Sequence, residues 1–208
     1  MAADTKDRLI DAALALFAER GFGQVTIQDI AKRAGANIAA VNYHFGDKAR
    51  FHAEVIRTQL DRRSGPPPEL ADVPDDPAAA LTAFVTWFLR RICGPANEAP
   101  LQHILMHEQV HPGESPVLDE IVERVMRPQH DRLAEVVAAL LPSDASPDTI
   151  RRFTFSVISQ CVSYKHAWPV MKRLHPELEL DDTELAAIAD HVSRLCLAGL
   201  AAERDRHA

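Results

Sequence analysis

Apolar positions recur along this chain at intervals of three and four residues, in segments punctuated by glycine and proline. Leu9, Ile10, Ala13, Leu16 and Phe17 form the first stripe, which predicts a helix that Gly21 ends. Thr5 or Asp4 is placed to cap it, with Asp7 in the first turn where the helix dipole favours negative charge. Ile27, Ile30 and Ala31 supply the inward face of a short second helix, which runs into Ala34 and is broken at Gly35. Thr26 with Asp29 is a short-armed capping box, Asp standing where Glu or Gln is usual. Asn37 starts a third short helix, whose predicted inward residues are Ile38, Val41 and Phe45. Gly46-Asp47 ends it and caps a fourth, from Lys48 to about Arg63, striped by Phe51, Val55, Ile56 and Leu60.

The pattern then stops. Ser64 to Pro77 holds five prolines, a glycine and four acidic residues, which predicts a linker between a domain at 1–63 and a larger one at 77–208. Beyond it the helical period resumes at about 77–93, 97–110, 116–141, 147–167 and 182–203. Pro128 is expected to kink or split the third of these, and prolines 112, 142, 147, 169 and 176 to mark breaks. No run of alternating β-branched residues argues for a sheet, and no internal repeat is visible, so the expected class is all-α.

Composition narrows the picture. At 47% hydrophobic residues, the 208-residue chain can bury a sizeable core. No apolar run approaches the roughly 18–20 residues that cross a bilayer, and the polar start lacks a signal peptide's apolar centre. The expectation is a cytoplasmic protein with no membrane partner. Cys93, Cys161 and Cys196 are odd in number and far apart in sequence, as suits core or pocket residues rather than a disulfide framework. Net charge is −7, but residues 1–63 carry ten Lys/Arg against eight Asp/Glu, and the remainder thirteen against twenty-two. The basic end is amino-terminal, which permits a nucleic-acid partner there.

Two short capped helices around a glycine, from Thr26 to Phe45, are helix–turn–helix punctuation. Such a unit lays its second helix in the major groove while backbone-directed groups fix the register. Ala39 and Ala40 allow close approach and contact with a thymine methyl, Asn42 offers a donor and an acceptor to a base edge, and Tyr43 and His44 reach phosphates. Lys48 with the start of the fourth helix, and Thr26 with the start of the second, make anion sites. Gln28 and Asn37 complete the DNA-facing set. The competing reading is a plain αα-hairpin within a helical bundle, with Tyr43 and Phe45 as core aromatics.

The ordered residues resemble a known family. Ile10-Asp-Ala-Ala-Leu-Ala-Leu-Phe17, Arg20-Gly21-Phe22, Thr26-Ile-Gln-Asp-Ile-Ala31, Ala34-Gly35 and Val41-Asn-Tyr-His-Phe-Gly-Asp-Lys48 are similar to the amino-terminal domain of TetR (tetracycline-repressor) transcriptional regulators. The last of these, with the carboxy-terminal half, looks most like the CerR-like branch. The resemblance implies a three-helix DNA-binding domain, a linking fourth helix, and a helical ligand-binding and dimerisation domain. It implies phosphate contacts from Thr26 and Lys48, with Ala39, Ala40, Asn42, Tyr43 and His44 facing the groove. Two departures stand out. Ala36-Asn37 replaces the usual Val-Ser, and Asn42 with Tyr43 stands where the family often has an aromatic first. The implied function is a homodimeric repressor released from a palindromic operator by a small-molecule effector.

The resemblance implies dimerisation through the last two long helices, at about 147–167 and 182–203, which carry Phe153, Val157, Ile158, Cys161 and Val162, then Leu185, Ile188, Ala189, Val192, Leu195 and Leu200. The same stripes also suit a monomer core. Trp87, His103, His107, Phe155, Gln160 and Tyr164 combine apolar walls with polar handles, as an effector pocket requires. One stretch points elsewhere. His107-Glu108-Gln109-Val110-His111 matches the HExxH zinc-hydrolase pattern, and His103 adds an imidazole four residues earlier. Pro112 disfavours helical geometry at His111, which turns it from the face carrying His107. A metal-sensing regulator and a helical zinc hydrolase are therefore the alternatives, and the leading expectation is a non-enzymatic regulator without metal or cofactor.

Overall fold

Caps and glycines set the boundaries of the first four helices: α1 (Ala2–Gln24), α2 (Ile27–Ala34), α3 (Ile38–Phe45) and α4 (Lys48–Asp61). The computed structural model describes residues 2–61, 75–94, 104 and 118–206, leaving aside the side chains of residues 2–4 and of Asn42, and among these residues there is no strand. α1 begins at Ala2, ahead of the expected caps Asp4 and Thr5. Gly21 breaks its helical geometry at φ 74°, where the sequence placed the end; the turn to Gln24 is a separate piece.

The chain forms two compact units. The first comprises residues 1–65 and 98–126, the second residues 66–97 and 127–208. In the first, Leu9, Ile10, Ala13, Leu16 and Phe17 of α1 meet Ile30, Ala31 and Ala34 of α2, Val41 and Phe45 of α3, and Phe51, Val55, Ile56 and Leu60 of α4. Ile104 and Ile121, more than forty residues beyond α4, are buried in the same core, with Val125 and Met126 packed against it. Ile121 ends α6 (Leu118–Ile121), which widens into a π-helical segment, Val122–Met126. Arg57 Nε donates to Glu120 Oε2 (2.7 Å), while Arg124 bridges Glu120 Oε1 (3.1 Å) and Asp61 Oδ1 (2.6 Å), which ties α4 to this segment.

The second unit holds α5 (Pro77–Cys93), α7 (Arg127–Leu140), α8 (Pro147–Leu174) and α9 (Asp182–Asp205). Asp76-Pro77 and Ser146-Pro147 start helices as an N-cap followed by a proline that has no N–H and so needs no acceptor, and Asp181 caps α9. α5 packs against the other three, burying Leu81, Phe84, Val85 and Leu89 with Leu133, Val137, Val157, Cys161, Ile188 and Val192. Buried Thr154 and Ser193 return their hydroxyls to the carbonyls of Ile150 and Ala189, so neither is an orphan. The three cysteines, distant in sequence, converge in this core. Burial pushes the Cys161 thiol up to about 12, with Cys196 and Cys93 adding to the effect.

One helix expectation holds and one is corrected. The helix is split next to Pro128, with the irregularity in the turn before it: Pro128 cannot donate to the carbonyl four residues back, and the wider π turn makes room for its ring. Pro169 does not end α8, which continues to Leu174. Its ring lies on an exposed side, where water can serve the carbonyl left without a donor. One statement on apolar length also changes. Asp182–Asp205 is long and apolar enough, by length and composition, to cross a membrane, but Leu185, Ile188, Ala189, Val192 and Leu200 are buried in the core of this unit. The expected helix at 97–110, nearly all of the linker at 64–77, and His103, His107 and His111 lie outside the described residues.

Candidate nucleic-acid interface

Side-chain caps and left-handed glycines close both ends of α2 and bracket α3. Thr26 Oγ1 accepts from the Asp29 amide (3.1 Å) and donates to Asp29 Oδ2 (2.6 Å), while the Thr26 amide also donates to Asp29 Oδ2 (3.0 Å). The capping box is thus complete despite its short acidic arm. Those bonds from Thr26, with Arg20 and Lys32 nearby, hold the Asp29 carboxyl below the usual range. At the other end Gly35 sits at φ 61°, ψ 37°, and the Ala36 and Gly35 amides close back on the carbonyls of Ala31 (2.9 Å) and Lys32 (3.3 Å).

Asn37 then caps α3 as expected, its Oδ1 accepting from the Ala39 amide at 2.9 Å. Gly46 ends α3 at φ 76°, and Asp47 Oδ1 accepts from the Arg50 amide (2.8 Å) to start α4. Between these stops, Val41 and Phe45 are buried, Phe45 stacking on Phe51 with ring centroids 3.9 Å apart. Ala39 is exposed, Ala40 and His44 are half-buried, and Tyr43 is 85% exposed with its ring edge-on to His44. That exposure removes Tyr43 from the core, where the αα-hairpin reading had placed it. Ile38, expected inside, is 41% exposed. The side chain of Asn42 lies outside what the structure describes.

Lys48 is held against the turn that leads to α2. Its Nζ lies 4.3 Å from the Phe22 ring centroid and donates to the Gly23 carbonyl at 3.5 Å. One helical turn later, His52 is fully buried against Phe17 and Phe22, with centroid distances of 4.6 and 4.8 Å. Burial, and then the Lys48 charge, push its imidazole down to about 4, so it is neutral at physiological pH. Phe22 therefore backs both a half-buried cation and a neutral histidine. Gln28 is exposed on α2. The positions expected to meet DNA thus gather on the turns and exposed faces of α2, α3 and the start of α4. One expectation is refined: the Thr26 hydroxyl and amide are already engaged by Asp29.

The positions expected to hold an effector are less uniform. Trp87 is buried on α5 beside Phe84 and Phe88, with the Arg91 guanidinium 5.5 Å from its ring centroid. Tyr164 is half-buried against the same core, whereas Phe155 is 69% exposed and Gln160 is exposed. His103 and His107 are not among the described residues, and among those that are, no three His, Cys, Asp or Glu side chains are grouped to hold a metal.

Comparison with known proteins agrees with this geometry. Residues 9–55 match the model of bacterial regulatory proteins of the tetR family, and residues 77–200 match that of the C-terminal domain of the HTH-type transcriptional dual regulator CecR. CecR of Shigella flexneri is 28% identical over 170 residues, covering 77% of this chain and 75% of that protein. The transcriptional repressor KstR2 of Rhodococcus jostii is 37% identical over 81 residues, 39% of this chain and 40% of its own. Among solved structures, the transcriptional regulator FadR of Bacillus subtilis, in complex with stearoyl-CoA, superposes with a TM-score of 0.59 at 17% identity, over 92% of this chain and 97% of FadR.

Proposed function

We propose that this chain, which belongs to the TetR family of transcriptional regulators, works as a homodimeric repressor that a small-molecule effector releases from a palindromic operator. As a member of that family it is a DNA-binding regulator and not an enzyme, which leaves the zinc-hydrolase reading of residues 107–111 without support. The observation that carries the proposal is α3 itself. It is capped by Asn37, stopped at Gly46 and anchored by Val41 and Phe45, with Ala39 and Tyr43 turned to solvent. A helix so placed has the form of a major-groove reader.

Doubling follows from charge. α3 has no Lys or Arg, so one copy has little with which to grip phosphates, and a second copy adds a second set of flanking contacts. The expected dimer surface is on α8 and α9. Most of the apolar stripe there fills the unit's own core, while Phe155 (69% exposed) and Leu195 (50% exposed) remain outside it. FadR, with its bound stearoyl-CoA, supports a small-molecule effector by fold alone. Release is a population shift: the effector must bind the DNA-incompetent state better. The ion pairs from Arg57 and Asp61 to Glu120 and Arg124 give α4 a link through which such a shift can act. On this reading the protein works in the cytoplasm, with the DNA it binds.

Selection of bound DNA from a random pool tests the proposal. The expected product is a palindrome with half-sites about 10 base pairs apart or a multiple of that. An asymmetric product, no enrichment, or a light-scattering mass near the 23.0 kDa of one chain overturns it.

A further inference from the structure

We propose that Ile38 is a base-reading residue of this regulator, and that it recognises a thymine in each half-site by covering its C5-methyl group. The inference rests on the DNA-binding reading and adds a residue that neither the motif nor the helical period assigns to DNA. By period, Ile38 belongs with Val41 and Phe45 on the buried stripe of α3. Yet Val41 is fully buried and Phe45 nearly so, while Ile38 is 41% exposed. The stripe runs past the end of the core beneath it. Asn37 fixes this placement, because its carbonyl accepts from Ala40 and its side chain from Ala39, both at 2.9 Å, which makes Ile38 the first residue of α3. Amino-terminal residues of a recognition helix are those that reach base edges.

The chemistry of the exposed end limits what it can read. Ile38, Ala39 and Ala40 carry no polar side-chain atom, and Asn37, whose side-chain oxygen already accepts from the helix, offers only its amide nitrogen as a donor. Hydrogen-bonded readout by this end of α3 is therefore meagre. The apolar feature that the major groove presents is the thymine methyl. A β-branched side chain suits it well, since its χ1 is already stiff and little rotamer freedom is lost on contact.

Uracil, which is thymine without that methyl, supplies the test. The full chain is first used to select an operator; each thymine is then replaced in turn by uracil, and binding is measured for the wild type and for Ile38→Ala. Covering one methyl is equivalent to about fourfold in affinity, so replacement in both half-sites should weaken wild-type binding about fifteenfold. At the thymine that Ile38 covers, Ile38→Ala should bind the thymine and uracil operators equally, whatever penalty remains at thymines met by Ala39 or Ala40, with its helical content and melting checked alongside. A selected operator indifferent to uracil at every position overturns the inference and leaves the DNA-binding reading standing. So does a uracil penalty that persists in Ile38→Ala at every sensitive thymine, because other residues then read all of those methyls. Failure to select any operator removes the reading and the inference together, and is seen before uracil is introduced.

Discussion

His52 makes the DNA-binding unit sensitive to acid in a window that can be worked out in advance. In an unfolded chain its imidazole titrates near 6.5; in the fold, burial between Phe17 and Phe22 and the nearby Lys48 charge push it down to about 4. Between those values the unfolded state binds a proton and the folded state does not, so stability falls as pH falls. The contribution is complete above about pH 6.5, declines through the interval, and is flat below about pH 4. The full loss is roughly 3 kcal/mol, a large share of what a small helical unit has. Both tryptophans, Trp87 and Trp168, belong to the second unit, so their fluorescence does not report on the first. The assay is instead amide hydrogen exchange of α1 and α4 from pH 7 to pH 4, corrected for intrinsic exchange, in wild type and His52→Phe. Phenylalanine keeps an aromatic ring in the same apolar niche and cannot titrate. The difference between the proteins isolates His52 from every other group, and Lys48→Met should shrink it. Equal acid sensitivity in wild type and His52→Phe would refute the reasoning.

Two further perturbations probe the frame around the recognition helix. Gly35→Ala should destabilise the first unit by about 1 kcal/mol, because φ is +61° and no atom lies within 4 Å of the added Cβ, which leaves a purely backbone effect; Gly35→Asn should recover part of it in urea denaturation, and an unchanged midpoint for Gly35→Ala speaks against the left-handed cap. Ile121→Ala should cost about 2–5 kcal/mol and lower hydrogen-exchange protection in α1 and α4, since the side chain is fully buried in a core otherwise built mainly from residues 9–60. Protection lost only around α6 would contradict that shared core.

Much of the first unit was legible because its signals are local. Thr26, Gly35, Asn37, Gly46 and Asp47 act within four residues, so the spacing of residue types is enough to place the ends of α2, α3 and α4. The stripes of α1 and α4 were equally readable, since helical period alone names the inward face. The misses share a different cause. Period gives the angle of a side chain about its helix but not the depth of core beneath it, so it points Ile38 inward although the side chain overhangs the core. Proline gives a missing donor but not the means of accommodating it, so the sequence marks a stop at Pro169 where α8 runs on, and does not foretell the π turn that splits the helix beside Pro128.

The sequence by itself determined the helical class, the punctuation that presents α3, and the family, because each is written in short-range spacing. Only tertiary structure decided that Ile104 and Ile121 complete the core of the DNA-binding unit, and that His52 is neutral behind Lys48. It also decided that Cys93, Cys161 and Cys196 share one apolar interior. Those facts depend on which surfaces meet across long stretches of chain, where burial and desolvation act on residues that carry no local sign of their neighbours.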